Sequence, residues 1–274
     1  MEKLVVVIVT YRRNFTDTPS ANLLLKQARD NQITLVIYDN EKVGAKVIGK
    51  NIINIQNNSN EGLVKGYNVA LEVAKDKGAQ WLLLLDHDTK LSTDYFDELF
   101  ARLDSKQPVK AILPTIISNE IIVSPLESDK YISLRTSQVL QPGQFNGQLM
   151  AINSGSTLSV DALQSIGGFN EAFPLDFLDH WLFWRLNQID QPYLILETQL
   201  KHSLSVQTPS AMSTTRYASI LAGEALYYSQ YNLDEFSNYR KYLMLRSAKQ
   251  FLKFKNRQLW RMSLKTLIQL RRGK

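Results

Sequence analysis

Apolar positions in the first hundred residues fall into two alternating patterns. Leu4–Thr10, Ile33–Tyr38, Ile52–Gln56 and Trp81–Leu85 are short continuous apolar runs, the signature of buried strands. Between them, Ser20–Asn31, Asn60–Lys77 and Ser92–Leu103 carry apolar residues at helical spacing. Pro19 opens the first helix, Ser92 caps the third, and Gly78 ends the second. Strand and helix in strict alternation predict parallel strands joined by right-handed crossovers. The pattern changes after residue 108. Val109–Leu113, Ile116–Val123 and Tyr131–Leu134 read as antiparallel or edge strands, and Leu149–Ser154 as another apolar strand. A short helix over Val160–Ile166 ends at Gly167-Gly168, a helix covers Asp179–Asn187, Tyr193–Glu197 is a strand, and from Ala218 the chain is mostly helical. No linker interrupts it. The expectation is one α/β domain over residues 1–215 with a helical extension over 216–274.

Composition narrows the class. The 274 residues are 44% hydrophobic and 21% charged, as in ordinary globular proteins. The absence of cysteine excludes disulfides and thiolate metal sites and fits a cytoplasmic protein. The apolar run at Leu4–Thr10 is too short for a secretory segment and reads as a first buried strand, and nothing approaches a membrane span of about 20 apolar residues.

Candidate chemistry starts at the end of the fourth strand. Leu82–Leu85 leads into Asp86-His87-Asp88-Thr89, so with His87 turned away both carboxylates face one site at the strand's carboxyl end. Open α/β sheets bind ligands there. Paired carboxylates at that place suit Mg²⁺ or Mn²⁺ holding phosphate oxygens. A strand followed by a polar turn would read the same, and so would a haloacid-dehalogenase-like phosphatase, whose Asp-x-Asp-x-Thr would make Asp86 a nucleophile and Asp88 an acid/base. Against the phosphatase stand the more than 80 residues before the motif and the lack of a downstream Gly-Asp…Asp metal motif.

Several further segments resemble family 2 glycosyltransferases of the GT-A fold, especially their bacterial rhamnosyltransferase-like branch. They are Val5–Tyr11, Ile37–Asn40, Asn60–Asn68, Asp86–Asp88, Asn153–Ser156, Gly167–Glu171 and Asp176–Arg185, spread over about residues 4 to 205. The resemblance implies a Rossmann-like, mostly parallel sheet and an inverting transfer from a nucleoside-diphosphate sugar. It implies Thr10 and Tyr11 beside the base and ribose, and Asp39 accepting from the pyrimidine ring N–H. Asn60, Gly62, Lys65 and Asn68 would lie at the nucleotide sugar and diphosphate, with the helix N-terminus favouring anions. Asp88 would coordinate the divalent metal, with Asp86 on the ribose or metal and His202 completing the metal site. Asp179 would be the general base, and Arg185 would anchor its helix or a phosphate. His87 and His180 read as outward-facing or packing residues. Two departures leave the branch, and so the sugar, open: Leu178 stands where an acid is common, and Trp181 replaces the rhamnosyl-branch Glu. The resemblance implies dTDP-rhamnose or a UDP-hexose as donor, and a glycan or lipid-linked hydroxyl in bacterial surface polysaccharide assembly as acceptor.

The net charge of +6 conceals an asymmetry. Of the 32 basic residues, 12 lie between Arg240 and Lys274, a stretch without any acid, whereas the first 239 residues hold 20 bases against all 26 acids. Such a tail, with Tyr242, Phe251, Phe254 and Trp260 interspersed, suits an anionic membrane surface on the inner face of the plasma membrane. The apolar residues keep to no single clean face, so a solvated helix packed on the body is the competing expectation. No nucleic-acid partner is expected.

Overall fold

The computed structural model describes residues 3–104, 107–128, 138–201 and 212–272. The chain divides into two compact units, Met1–Glu127 with Thr136–Ser203, and Ser128–Arg135 with Leu204–Lys274.

The first unit is built on one sheet. β1 (Leu4–Thr10), β2 (Thr34–Asp39), β3 (Ile52–Gln56) and β4 (Trp81–Asp86) are parallel, with β2 and β4 on either side of β1. Helices α1 (Ala21–Arg29), α2 (Gly62–Asp76) and α3 (Thr93–Leu103) form the crossovers. β1 and β2 are buried along their whole length, which explains their unbroken Val, Leu and Ile runs: a strand covered on both faces has no polar side to show. α2 approaches the sheet at Gly66, where a Cβ would come within 2.8 Å of Val9 and 3.0 Å of Tyr38.

Beyond β4 the sheet is mixed. In chain order follow β5 (Ala111–Ser118), β6 (Ile121–Ser124), β7 (Leu126–Glu127), β8 (Gly143–Phe145), β9 (Leu149–Met150) and β10 (Thr157–Ser159). Then come α4 (Val160–Ser165), α5 (Leu178–Leu186) and β11 (Tyr193–Lys201). Among the described residues the main sheet runs β3-β2-β1-β4-β10-β5-β11-β8, with β6 paired to β5 and a separate β7–β9 ribbon. The short β10 runs antiparallel between β4 and β5, β11 runs parallel to β5, and β8 runs antiparallel to β11.

Two expectations for this region change. The expected break after Leu113 is absent: β5 runs straight through Pro114, and the turn comes at Asn119-Glu120, both with positive φ. Pro114 is tolerated because the partner strand β11 is irregular between Ile195 and Gln199, so its missing N–H costs no regular ladder bond. Leu149–Ser154 is strand only at Leu149–Met150, because residues 153–156 are drawn into the hydrogen bonds around β4 described below. The expected strand at Tyr131–Leu134 lies outside the described residues.

Lys110 is buried, donates to the Ile189 carbonyl at 2.9 Å and lies over the Tyr193 ring. Burial lowers its pKa from 10.5 to about 8. Between those values the unfolded chain holds a proton that the folded chain lacks, so folding stability rises with pH across that window. Urea titrations of wild type and Lys110→Met are expected to show the wild type gaining on the variant from pH 8 to pH 10. A constant difference would mean that Lys110 keeps its proton.

The second unit contains α6 (Thr214–Leu226), α7 (Phe236–Lys253) and α8 (Arg257–Arg272). Its interior is unusually polar. Arg246 pairs with both carboxylate oxygens of buried Glu224, and Gln250 joins Tyr217 of α6 to Ser263 of α8.

Candidate active site

The parallel half of the sheet sets three expected site residues in one line. Thr10 is in register with Asp39, and Val9 with Asp86, so the ends of β2, β1 and β4 coincide. By strand spacing Asp39 and Asp86 stand about 10 Å apart across β1. Thr10 is buried and its carbonyl accepts from Asn40 N–H, while Tyr11 follows at the rim beneath the Arg12 guanidinium.

Asp39 is buried, and its two oxygens accept from the backbone N–H groups of Glu41 and Gly44 at 3.2 and 3.1 Å. That holds the loop after β2. It also occupies only part of the carboxylate's four or so acceptor positions.

Asn40 is a residue the sequence reading quoted without assigning. Its Nδ2 donates to Gly62 carbonyl at 3.0 Å and its Oδ1 accepts from Glu61 N–H at 3.1 Å, so it fastens the start of α2 to the end of β2. Asn60 Oδ1 accepts from Gly62 N–H at 2.9 Å, completing the turn.

Four features of this turn have partners within the protein. Gly62 has φ +82°, and the close approach it permits is to Pro174, whose carbonyl oxygen would lie 2.1 Å from an added Cβ. The first N–H groups of α2, from Leu63 and Val64, point at that same carbonyl at 2.7 and 3.4 Å, so the helix start is satisfied from within the protein. Asn68 uses both ends of its amide on Phe169, accepting from its N–H and donating to its carbonyl, each at 2.9 Å. Lys65 is exposed and stands 3.9 Å from Glu171. Asn68 and Lys65 therefore serve the Gly167–Glu171 passage: the first clamps it and the second pairs with its acid.

The Asp86–Thr89 turn is held from two sides. Asp86 N–H donates to Ser154 Oγ at 2.9 Å, and Thr89 Oγ bonds the same hydroxyl. Ser20 Oγ donates to the Thr89 carbonyl at 2.7 Å and accepts from Leu91 N–H at 2.8 Å. Gly155, at φ +87°, lets residues 154–156 run beside β4, where Gly155 N–H donates to the Leu84 carbonyl and Leu84 N–H to the Ser156 carbonyl. Asp88 is exposed and Asp86 half-buried. His87 is half-buried, and burial lowers its pKa below the usual 6.5. Neighbouring Asn153 is buried, and its Oδ1 has no hydrogen-bond partner among the described residues.

Tyr67 connects the two ends of the site. Its hydroxyl donates to Asp86 Oδ1 at 3.3 Å. Burial raises its pKa well above 10, and the negative charges of Asp86 and then Asp179 raise it further. Asp179 thus lies within electrostatic reach of the hydroxyl that touches Asp86. Tyr67 lies inside the helical stretch that the sequence predicts over Asn60–Lys77, where no local pattern marks its hydroxyl.

Asp179 sits in the first turn of α5, two residues after Phe177, whose left-handed conformation (φ +66°) non-glycine residues seldom adopt. Its Oδ1 accepts from His180 N–H at 2.9 Å and lies 3.0 Å from His180 Nδ1. The His180 ring stacks on Phe177 with centroids 4.3 Å apart. His180 does pack, as expected, but it also holds the carboxylate. Arg185, in the last turn of the helix, donates to Gln188 Oε1, three residues on, at 2.9 Å. His202 lies outside the described residues.

No protein-family model matches the chain. Over 214 residues it is 22% identical to the dTDP-rhamnosyl transferase RfbF of Shigella flexneri, covering 72% of this chain and 68% of that one. It is a glycosyltransferase of the GT-A fold. Among solved structures, S. aureus TarS 1–349 in complex with UDP-GlcNAc superposes on the enzyme with a TM-score of 0.54 at 15% identity, over 98% of this chain and 81% of that one. GalNAc-T7 with UDP, GalNAc and Mn²⁺ gives 0.57 at 11% identity over 84% of this chain, though over only 49% of its own. These structural likenesses concern the fold. They leave the phosphatase alternative without support, since the Asp86-His87-Asp88 turn of the enzyme belongs to the fourth strand of a glycosyltransferase sheet.

Proposed function

We propose that the enzyme transfers a sugar, with inversion, from a nucleoside-diphosphate sugar to a hydroxyl of a glycan or lipid-linked acceptor. The observation that carries this reading is Tyr67. One buried hydroxyl touches Asp86 at the end of β4 and feels the charge of Asp179 at the start of α5. This supports a reading in which a donor-side carboxylate and a base candidate share one site.

The donor lies along the strand ends. Thr10 and Tyr11 border the base and ribose, and Asp39 has acceptor capacity left for a pyrimidine N–H. Asp86 and Asp88 supply hard oxygen donors, and among the described residues no third His, Cys, Asp or Glu joins them in a cluster. This set fits Mg²⁺ or Mn²⁺, cations that commonly complete their shells with water and substrate phosphate oxygens. A divalent cation held there would neutralise charge developing on the departing diphosphate. Ser154 and Ser20 fix the turn, so the carboxylates are held in place before the donor arrives.

Asp179 takes the proton of the acceptor hydroxyl as that oxygen bonds to the anomeric carbon, and the bond from that carbon to the diphosphate oxygen breaks. Approach from the side opposite the nucleotide inverts the centre. His180 positions the base by fixing Asp179 Oδ1. The likeness to a dTDP-rhamnosyl transferase favours dTDP-rhamnose, with UDP-hexoses as the second donor class.

The test is release of nucleoside diphosphate from a panel of dTDP- and UDP-sugars in the presence of Mn²⁺. Wild type is expected to turn over one donor selectively. Asp88→Ala is expected to lose metal-dependent donor binding, with affinity falling about tenfold or more, as for loss of a charged ligand contact. Equal donor affinity of variant and wild type, with and without Mn²⁺, would count against a metal at Asp88.

A further inference from the structure

Helix α7 is amphipathic in the opposite sense to a helix of a closed globular unit. Met244, Leu245, Ala248, Phe251 and Leu252 follow the spacing i, i+1, i+4, i+7, i+8 and so share one face. That face is the exposed one: Leu245 is 64% and Leu252 78% accessible, and Met244 and Phe251 about half. The opposite face is buried and largely polar, carrying Tyr239, Leu243, Ser247 and Gln250, with Gln250 bonded to Tyr217 and Ser263. The apparent lack of one clean apolar face in the sequence is thus two faces read together, a buried polar one and an exposed apolar one.

The apolar stripe continues onto α8. Phe251 meets Trp260 edge-on at 5.2 Å. Trp260 in turn lines a groove with Leu264 and Ile268, both partly exposed, rimmed by Arg261 and Lys265. Lys241, Lys249 and Lys253 flank the stripe on α7. From Phe236 to the last residue the sequence contains no Asp or Glu.

We propose that this face of α7 and α8 docks on an anionic lipid bilayer, with Leu245, Leu252 and their neighbours entering the acyl boundary and the surrounding Lys and Arg meeting the headgroups. Charge selects this occupant. Two copies of the face brought together would oppose cation to cation, whereas an anionic surface complements it over the whole patch. Among the described residues no helix is long and apolar enough to cross a membrane, so the contact is peripheral. The inference rests on the exposure and charge of these helices and stands apart from the transferase reading.

The experiment is flotation of the full chain with phosphatidylcholine vesicles, with and without phosphatidylglycerol, using wild type, Leu245→Gln, Leu252→Gln and the double variant. These positions are exposed and uncharged, so the variants keep both fold and net charge. Thermal melting checks the first. Wild type is expected to float only with anionic vesicles and to be released by salt. Each single change is expected to weaken partitioning by about tenfold, as the loss of one inserted Leu implies. Undiminished binding of the double variant would overturn insertion, and absence of binding by wild type would overturn the site. A concentration-dependent dimer, abolished by the same changes and seen without lipid binding, would assign the face to a second copy instead. Metal-dependent nucleotide binding, followed in the same samples, is expected to be unaffected in every variant, which separates failure of this inference from failure of the transferase reading.

Discussion

Replacing Asp179 by Asn is expected to lower sugar transfer by about 10²–10⁴-fold, the usual contribution of a general base, while donor binding stays nearly unchanged. Asn keeps the shape of the side chain and its Oδ1 can still accept from His180 N–H, the bond that fixes Asp179 at 2.9 Å. It has no charge with which to take the acceptor proton. The loss should therefore appear in kcat, with the KM for the donor little altered. Measuring both for Asp179→Asn and Asp88→Ala separates the two roles: the first removes turnover without affinity, the second affinity as well. Normal turnover by Asp179→Asn would move the base elsewhere, and the next place to look is the turn that Ser154 holds.

The second large effect is on folding. Gly62→Ala is expected to destabilise the first unit by on the order of 3–5 kcal/mol, in the range of the most damaging single substitutions. Two costs combine. The backbone at Gly62 has φ +82°, which disfavours any L side chain, and the new Cβ would lie 2.1 Å from the Pro174 carbonyl oxygen. Relief requires moving either α2 or the Pro174 loop, and both are bound by the Leu63 N–H bond to that carbonyl. Gly78→Ala provides the control. Gly78 has φ +63° but nothing within 4 Å of the added Cβ, so only the backbone cost of about 1 kcal/mol should appear. Urea midpoints of the two variants measure the difference, and equal shifts would remove the Pro174 contact from the account. The contact also matters for function. Asn40, Gly62 and Pro174 join the end of β2 to the start of α2 and to the loop that leads into Asp179.

The sequence revealed the frame of this site better than its fittings. Unbroken apolar runs ending in Thr10, Asp39 and Asp86 marked three neighbouring strand ends, because burial on both sheet faces leaves a strong compositional trace. Asp179 was singled out by the resemblance of Asp176–Arg185, and its expected place at the start of a helix is the one it has. The residues that hold these groups left no such trace. Ser20, Ser154 and Asn40 are single polar side chains whose partners are 20 to 70 residues away, as with Ser20 and Thr89 or Asp86 and Ser154. No local periodicity encodes such a bond. The partners of Asn68 and Lys65 were hidden for a related reason. Their position on α2 was evident, but not that Phe169 and Glu171 would return to meet them. The faces of α7 were obscured because a polar buried side inverts the rule by which a helix is usually oriented.

The central claim is that the ends of β1, β2 and β4 form a metal-dependent nucleotide site. Calorimetric titration of the purified chain with dTDP and UDP, first with Mn²⁺ and then with EDTA, tests it most directly. Binding of one nucleotide in Mn²⁺, lost in EDTA and in Asp88→Ala, is the expected result, and the preferred base narrows the donor to a dTDP- or a UDP-sugar. Failure of both nucleotides to bind with metal present, by a chain that melts cooperatively, would contradict it.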